Sequence, residues 1–271
     1  MMNIDLSQND LNVLEKINDP ESDPTRQVVV DDSLPKDPHI TNSEKYQEVS
    51  SAERNIIRAI QGIEMQLAGL QPRTLGDPFE GYMDCVRKLD SLIEAYPSYA
   101  SARNNRAQAY RRLYGDTLLV QGASDPRCLM QSPNEDSSKA AAALVLSDLD
   151  MAIHLLSPAT LSTPISPQNM KTLSAAYTQR ATIYHSTAKL FPVSSLTIPP
   201  MRQEVGWSKV AFEAAASQDF AMGGSIDPGH METYVVAKFE YWRSDIPYKR
   251  VLRILVSPSL KIPAQINLSS V

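Results

Sequence analysis

Glycine is scarce, ten in 271 residues. That weighs against folds built on glycine-rich phosphate loops or on many tight hairpins. Cysteine is scarcer still. Cys85 and Cys128 stand far apart, so they make neither a disulfide framework nor a metal site by pattern, and both suit a reducing compartment. Cys85 falls in an apolar helical pattern and reads as a small buried residue. Positive charge is in deficit: 26 Lys and Arg against 31 Asp and Glu leave a net charge of -5. A general nucleic-acid binder needs a basic footprint to displace counterions, so nucleic acid is not the expected partner. Apolar runs long enough to span a bilayer are lacking, and membrane is not an expected partner either. The opening "MMNIDLSQND" lacks the basic stretch and apolar run of a signal peptide. The expected compartment is the cytoplasm, with the nucleus as the second choice.

Catalytic signatures are missing as well. There is no His-Glu-x-x-His, Walker loop, dinucleotide fingerprint or nucleophile elbow. His39, His154, His185 and His230 show no metal-ligand spacing. "GGSIDPGH" (223–230) follows a helix instead of joining strand to helix, so it reads as a turn. Asp148 and Asp150 point to different sides of one helix, which does not suit a shared site. The expectation is a protein with no catalytic residues, no metal and no cofactor; an enzyme whose dispersed residues escape these patterns is the alternative.

Proline is plentiful, nineteen residues, and it separates periodic segments. Residues 1–42 are acidic and proline-punctuated. They hold one short amphipathic pattern (Leu11, Leu14, Ile17) and otherwise read as a disordered segment. Helical periodicity begins at Ser43, a reasonable N-cap, with Ile56, Ile60, Ile63 and Leu67 on one face and Gly69 as the stop. Pro78 suits the first turn of a second helix bearing Tyr82, Cys85, Val86, Leu89, Leu92 and Ile93, closed by Pro97. "ASARNNRAQAYRRLYGD" (100–116) is a third. A long insertion follows, and "KAAAALVLSDLDMAIHLLSP" (139–158) resumes the pattern. Pro/Ser/Thr-rich loops then lead to helices within 169–191 and 205–224. No convincing strand appears before Gly224.

These segments repeat. "ARNNRAQAY" (102–110) and "AYTQRATIY" (176–184) share Arg-Ala, two residues, then Tyr. "SDLDMA" (147–152) and "QDFAMG" (218–223) share Asp, an apolar residue, and a small residue three further on. The pattern resembles the tetratricopeptide repeat, a helix–turn–helix unit of about 34 residues. Gly62, Ala107 and Ala181 fall at its small position in the first helix, and Tyr110 and Tyr184 at an aromatic one. Leu89, Leu149 and Phe220 take a large apolar position in the second helix, and Cys85, Ala152 and Gly223 take small ones. The wording of 98–116, with "LSDLDMAI", "YTQRATIYH" and "FEAAASQDFAMGG", is similar more narrowly to the family of tetratricopeptide repeat protein 36.

The resemblance implies an all-α chain: a right-handed superhelix of about three helix pairs (43–97, 98–158 and 168–224) with long loop insertions. It implies a non-enzymatic adaptor that binds a protein or peptide, chaperone-associated or linked to tyrosine metabolism, so that the partner is a chaperone or a metabolic enzyme. Residues 225–271 are more basic and aromatic and lack the small-residue pattern, so they read as a divergent, irregular tail. In such a superhelix the first helices line a concave groove. Ser101, Asn104, Asn105, Gln108 and Arg111 would face it, with Arg112 at the rim, and Thr178 and Gln179 in the third pair. Asparagine can grip a peptide main chain, and arginine a carboxylate. Asn105 stays open between a ligand contact and a packing contact, and Arg111 between a ligand contact and solvated surface. Of the carboxylate clamp of chaperone-binding members only Asn105 matches. Ala59, Ile63, Ala175 and Gln179 stand at the other places, so that mechanism is not expected. The acidic N-terminal segment lying across the groove is a further expectation.

Overall fold

The computed structural model describes residues 28–72, 76–123, 125, 127–160, 163–191 and 195–227. The short helix expected near Leu11 and the tail from residue 228 lie outside them. Among the described residues six α-helices follow one another: α1 (Ser43–Leu67), α2 (Pro78–Ala95), α3 (Ala100–Tyr114), α4 (Glu135–Leu156), α5 (Pro167–Lys189) and α6 (Lys209–Ile226). Among the described residues there is no strand, only two isolated bridges. The all-α expectation holds.

The ends of the helices have local causes. Asn42 caps α1, its Oδ1 accepting the Lys45 amide at 2.8 Å, so the cap stands one residue before the expected Ser43. Gly69, at φ +68°, turns the chain out of α1. Asp77 caps α2 with Pro78 at its first position. Gly115, at φ +88°, ends α3. Helix α4 starts four residues before the expected Lys139. Asn134 caps it there, and Glu135 and Asp136 complement the positive helix end. Ser166 with Pro167 opens α5, and Ser208 caps α6, which runs two residues past Gly224.

Each helix packs on its successor, and α3 also touches α5. Two hydrophobic clusters result. One joins α1, α2 and α3 through Ile56, Ile63, Tyr82, Leu89 and Leu113. The other joins α3 to α6 through Leu146, Leu149, Leu173, Ile183 and Phe212. Helix α3 serves both, giving Ala102 and Ala109 to the first and Ala100 and Ala107 to the second. A helix packed on opposite sides needs short side chains, which is why α3 is rich in alanine. Ala107, Ala152 and Ala181 are fully buried. Gly223 lets α6 approach α5 closely: the Ser174 hydroxyl donates to its carbonyl at 2.8 Å. At Gly62, by contrast, an added Cβ would meet nothing within 4 Å, so close packing does not explain that glycine.

The long insertions are clasped to one another. Val120, between α3 and α4, bridges Leu196, between α5 and α6. The Gln121 amide donates to the Ser195 carbonyl, and the Thr197 amide to the Leu119 carbonyl, both at 2.8 Å. On the N-terminal side, residues 28–42 form a strap. The Asp31 amide donates to the Ile165 carbonyl, and the Ile165 amide to that of Val29. His39 Nε2 lies 3.3 Å from the Leu155 carbonyl oxygen, and Ile40 packs on the first cluster. The reading of 1–42 as mostly disordered therefore fails for 28–42, because backbone pairing and the apolar side chains of Val28 and Ile40 anchor it. Its hydrogen bonds run to the α4–α5 connection and the end of α4, while Ile40 and Lys36 reach the first cluster and Tyr46 of α1.

Candidate functional site

The residues expected in a groove all lie on α3 and α5, and the structure joins three of them, Asn104, Arg111 and Gln179, in a polar seam. Asn104 is 7% exposed. The Gln179 amide donates to its Oδ1 at 2.8 Å and to its backbone carbonyl at 3.2 Å. Gln179 Oε1 in turn accepts Arg111 Nη1 at 3.1 Å, and Arg111 Nε and Nη2 donate to Asp116 at 2.9 and 2.6 Å. The run Asp116–Arg111–Gln179–Asn104 thus ties α3 to α5. Arg111 is not solvated surface: burial beside Asp116 and Gln179 leaves its side chain only 12% exposed. Thr178 is also buried, its hydroxyl donating to the Ser174 carbonyl at 2.8 Å. Gln108 and Ser101 are half-buried on α3.

From another face of α3, polar contacts run to α1. Asn105 Nδ2 donates to Glu53 Oε1 at 2.7 Å, and the Tyr99 hydroxyl donates to Oε2 at 2.6 Å. Of the two roles left open for Asn105, this contact is the packing one. Arg112 Nε donates to Glu64 at 2.7 Å, and Tyr82 donates to the same carboxylate at 2.5 Å. An unmade buried hydrogen bond costs far more than a made one gains, so these contacts fix which helix faces meet.

A second set of contacts repeats from pair to pair. Arg106 of α3 holds Asp148 of α4 with two bonds, at 2.7 and 2.8 Å, and reaches back to Asp90 of α2 at 2.7 Å. Arg180 of α5 holds Asp219 of α6 at 2.7 and 2.8 Å and reaches back to Asp150 of α4 at 2.8 Å. Each arginine joins its own pair and the preceding one. Asp148 and Asp150 do face different neighbours, as their spacing predicts. Arg202 bonds both Asp150 and Glu204, and Tyr184 donates to Glu204 at 2.8 Å. Burial alone would push the Glu204 carboxyl up, but Arg202, the backbone amide and Tyr184 together hold it below the ordinary carboxylate value.

Glu53, Glu64 and Glu204 were missed by sequence reasoning. A signal was present for the first: Glu53 sits on the same helical stripe as Val49, Ile56 and Ile63, where an acid is out of place. Cys85 is buried as expected, and its burial pushes the thiol up, away from reactivity. Among the described residues no three His, Cys, Asp or Glu side chains gather as a metal site would require. None of the described helices is long and apolar enough to cross a membrane.

The chain is similar to the L-tyrosine degradation gene cluster protein hmgX of Aspergillus fumigatus. The two are 29% identical over 226 residues, which span 81% of this chain and 80% of the relative. No protein-family model matches the chain. No solved structure matches it significantly.

Proposed function

We propose that the chain is a non-catalytic scaffold of tetratricopeptide type that binds an enzyme of tyrosine breakdown. The relative named for a tyrosine degradation gene cluster, matched over four fifths of both chains, carries the metabolic half of this reading. The scaffold half is supported by the repeating Asp–Arg–Asp bridges and by the contact of α3 with α5, which stacked helix pairs forming a superhelix would make. A metabolic enzyme fits better than a chaperone tail. The one residue that matches a carboxylate clamp, Asn105, already spends its amide on Glu53. A partner on this face meets the half-buried Ser101, Asn105 and Gln108 as a preformed polar surface, held in place before binding.

The test is direct. Each purified enzyme of tyrosine degradation is titrated with the purified chain, and turnover is followed with and without it. The expected result is saturable binding to one enzyme with a changed rate or lifetime of that enzyme. Failure to bind any of them, or turnover of a tyrosine-derived intermediate by the chain alone, overturns the proposal.

A further inference from the structure

The first half of the strap rests on one residue of the α4–α5 connection. The Asp31 amide donates to the Ile165 carbonyl at 3.0 Å, the Ile165 amide donates to the Val29 carbonyl at 2.9 Å, and the two chains run parallel there. Two residues ahead of Ile165 stands Thr163, followed by Pro164, and both are exposed. Four of the described Ser and Thr residues precede a proline: Ser132, Ser157, Thr163 and Ser166. Their hydroxyls are placed differently. Ser166 is 1% exposed and caps α5. Ser157 ends α4, its hydroxyl donating to the Ile153 carbonyl at 2.7 Å. Ser132 is exposed ahead of α4, whose 22 residues, about 33 Å of helix, separate it from the end that the strap touches. Thr163 closes an exposed turn. Its amide donates to the Thr160 carbonyl at 3.0 Å, and its hydroxyl lies 2.9 Å from that of Thr160.

We propose that Thr163 is a phosphorylation site for a proline-directed kinase, and that its phosphorylation lifts the strap off the α4–α5 connection. A hydroxyl residue directly before proline is biased to extended backbone, the form in which a substrate lies in a kinase cleft. In the transfer, Thr163 Oγ attacks the γ-phosphorus of ATP, the bond from that phosphorus to the β–γ bridging oxygen breaks, and ADP leaves. The hydroxyl proton passes to the catalytic base of the kinase. This inference is independent of the scaffold role.

The sign follows from charge. A neutral hydroxyl is exchanged for a group of about −2 at pH 7. Two residues of chain span at most about 7 Å. A phosphate on Thr163 therefore stands within about a Debye length of the strap backbone bonded to Ile165, where repulsion is only partly screened. That part of the strap is acidic. Asp31 and Asp32 directly follow the bridging Val30. The Ser33 hydroxyl and amide hold the Asp31 carboxyl below its ordinary value, so it is charged at neutral pH. Val28, two residues ahead of its bridge as Thr163 is of Ile165, is apolar and packs on the second cluster. The basic side chains of the described strap are engaged elsewhere. Lys36 lies over the Tyr46 ring of α1 at 5.9 Å, and His39 Nε2 faces the Leu155 carbonyl. Repulsion and desolvation thus act together on a segment held at this end by two backbone bonds.

The test uses the intact chain, a purified mitogen-activated protein kinase and ATP. Phosphorylated positions are mapped by mass spectrometry, and hydrogen exchange of treated and untreated chain is compared at neutral pH. Thr163 should be phosphorylated in the folded chain. Protection of the Asp31 amide should then fall by about tenfold or more, while the Gln121 and Thr197 amides of the other clasp change by less than about twofold. Thr163→Val, treated alike, should keep its strap protected even where Ser132 or Ser157 is modified. Thr163→Ser should restore both the phosphate and the loss of protection, and phosphatase should reverse the loss. A folded chain that takes no phosphate at Thr163, a phosphorylated one whose Asp31 protection is unchanged or increased, or a parallel fall at the reference amides would overturn the proposal.

Discussion

Replacing Arg106 with methionine tests whether the repeated bridges carry the stacking of the helix pairs. The two acids it holds are unequal. The Asp90 side chain is 46% exposed, and an exposed pair of that kind contributes at most about 1 kcal/mol. Asp148 is 1% exposed, and stripping a buried charge of its partner costs roughly 3–5 kcal/mol. Arg103 Nη1 remains 3.1 Å from Asp148 and offsets part of that loss. The net expectation is about 2–4 kcal/mol, a fall in Tm of roughly 5–15 °C for a chain of this size. Urea unfolding followed by circular dichroism at neutral pH gives the number. The decisive arm is Arg106→Met with Asp148→Leu. Removing both charges leaves nothing unpaired, so the double variant should be more stable than Arg106→Met alone. A single-variant cost under about 0.5 kcal/mol, or costs that simply add, would refute the reasoning.

The same logic applies elsewhere. Gly223→Ala drives its Cβ to 2.8 Å from Thr178 Oγ1 and 3.3 Å from the Ser174 carbonyl, so overpacking of about 1–3 kcal/mol should outweigh the helix-propensity gain, as chemical denaturation will show. Thr178→Ala in that background should recover part of the loss. Gly115→Ala combines φ +88° with a Cβ 2.6 Å from that of Asp125, so Tm should fall by several degrees. Gln179→Leu leaves the buried Asn104 amide oxygen without its donor and should cost about 1–3 kcal/mol, with less loss in Gln179→Glu, which still accepts from Arg111. Glu204→Gln should flatten the acid limb of the stability profile. A carboxyl held low in the folded chain contributes stability above its unfolded value and loses it as pH falls through the folded one, which pH-dependent melting resolves.

What the sequence disclosed was local. Pro78, Pro97 and Gly69 bound helices because their backbone chemistry acts within a few residues. The matched Arg-Ala strings hold both arginines of the repeated bridges, and the matched Asp-apolar strings hold Asp148 and Asp219, though nothing in the spacing showed that they pair. Asn104 was misjudged because its partner, Gln179, lies on a helix two elements away, and no short-range pattern can show that an amide is already engaged. The strap was misread for the opposite reason. Acidic, proline-broken sequence carries few signs of order, and what anchors it is backbone pairing with Ile165, which any side chains permit. The pairing of the two insertions was hidden in the same way.

These non-local ties alter how the array should behave. In an open stack of helix pairs each unit touches only its neighbours, and ends fray independently. Here the clasp between Leu119–Gln121 and Ser195–Thr197 joins the connection inside the second pair to that inside the third. The strap spans further, tying the start of α1 to the loop that opens α5 and to the end of α4. Fraying of the first pair that lifts the strap therefore breaks contacts made with the end of α4 and the connection before α5, and the ends lose their independence. Insertions that would loosen an open solenoid instead add cross-links between units, which favours one cooperative transition over stepwise melting. The proposed scaffold role would gain from this, because helices held in place by the whole chain leave little ordering to be done on binding.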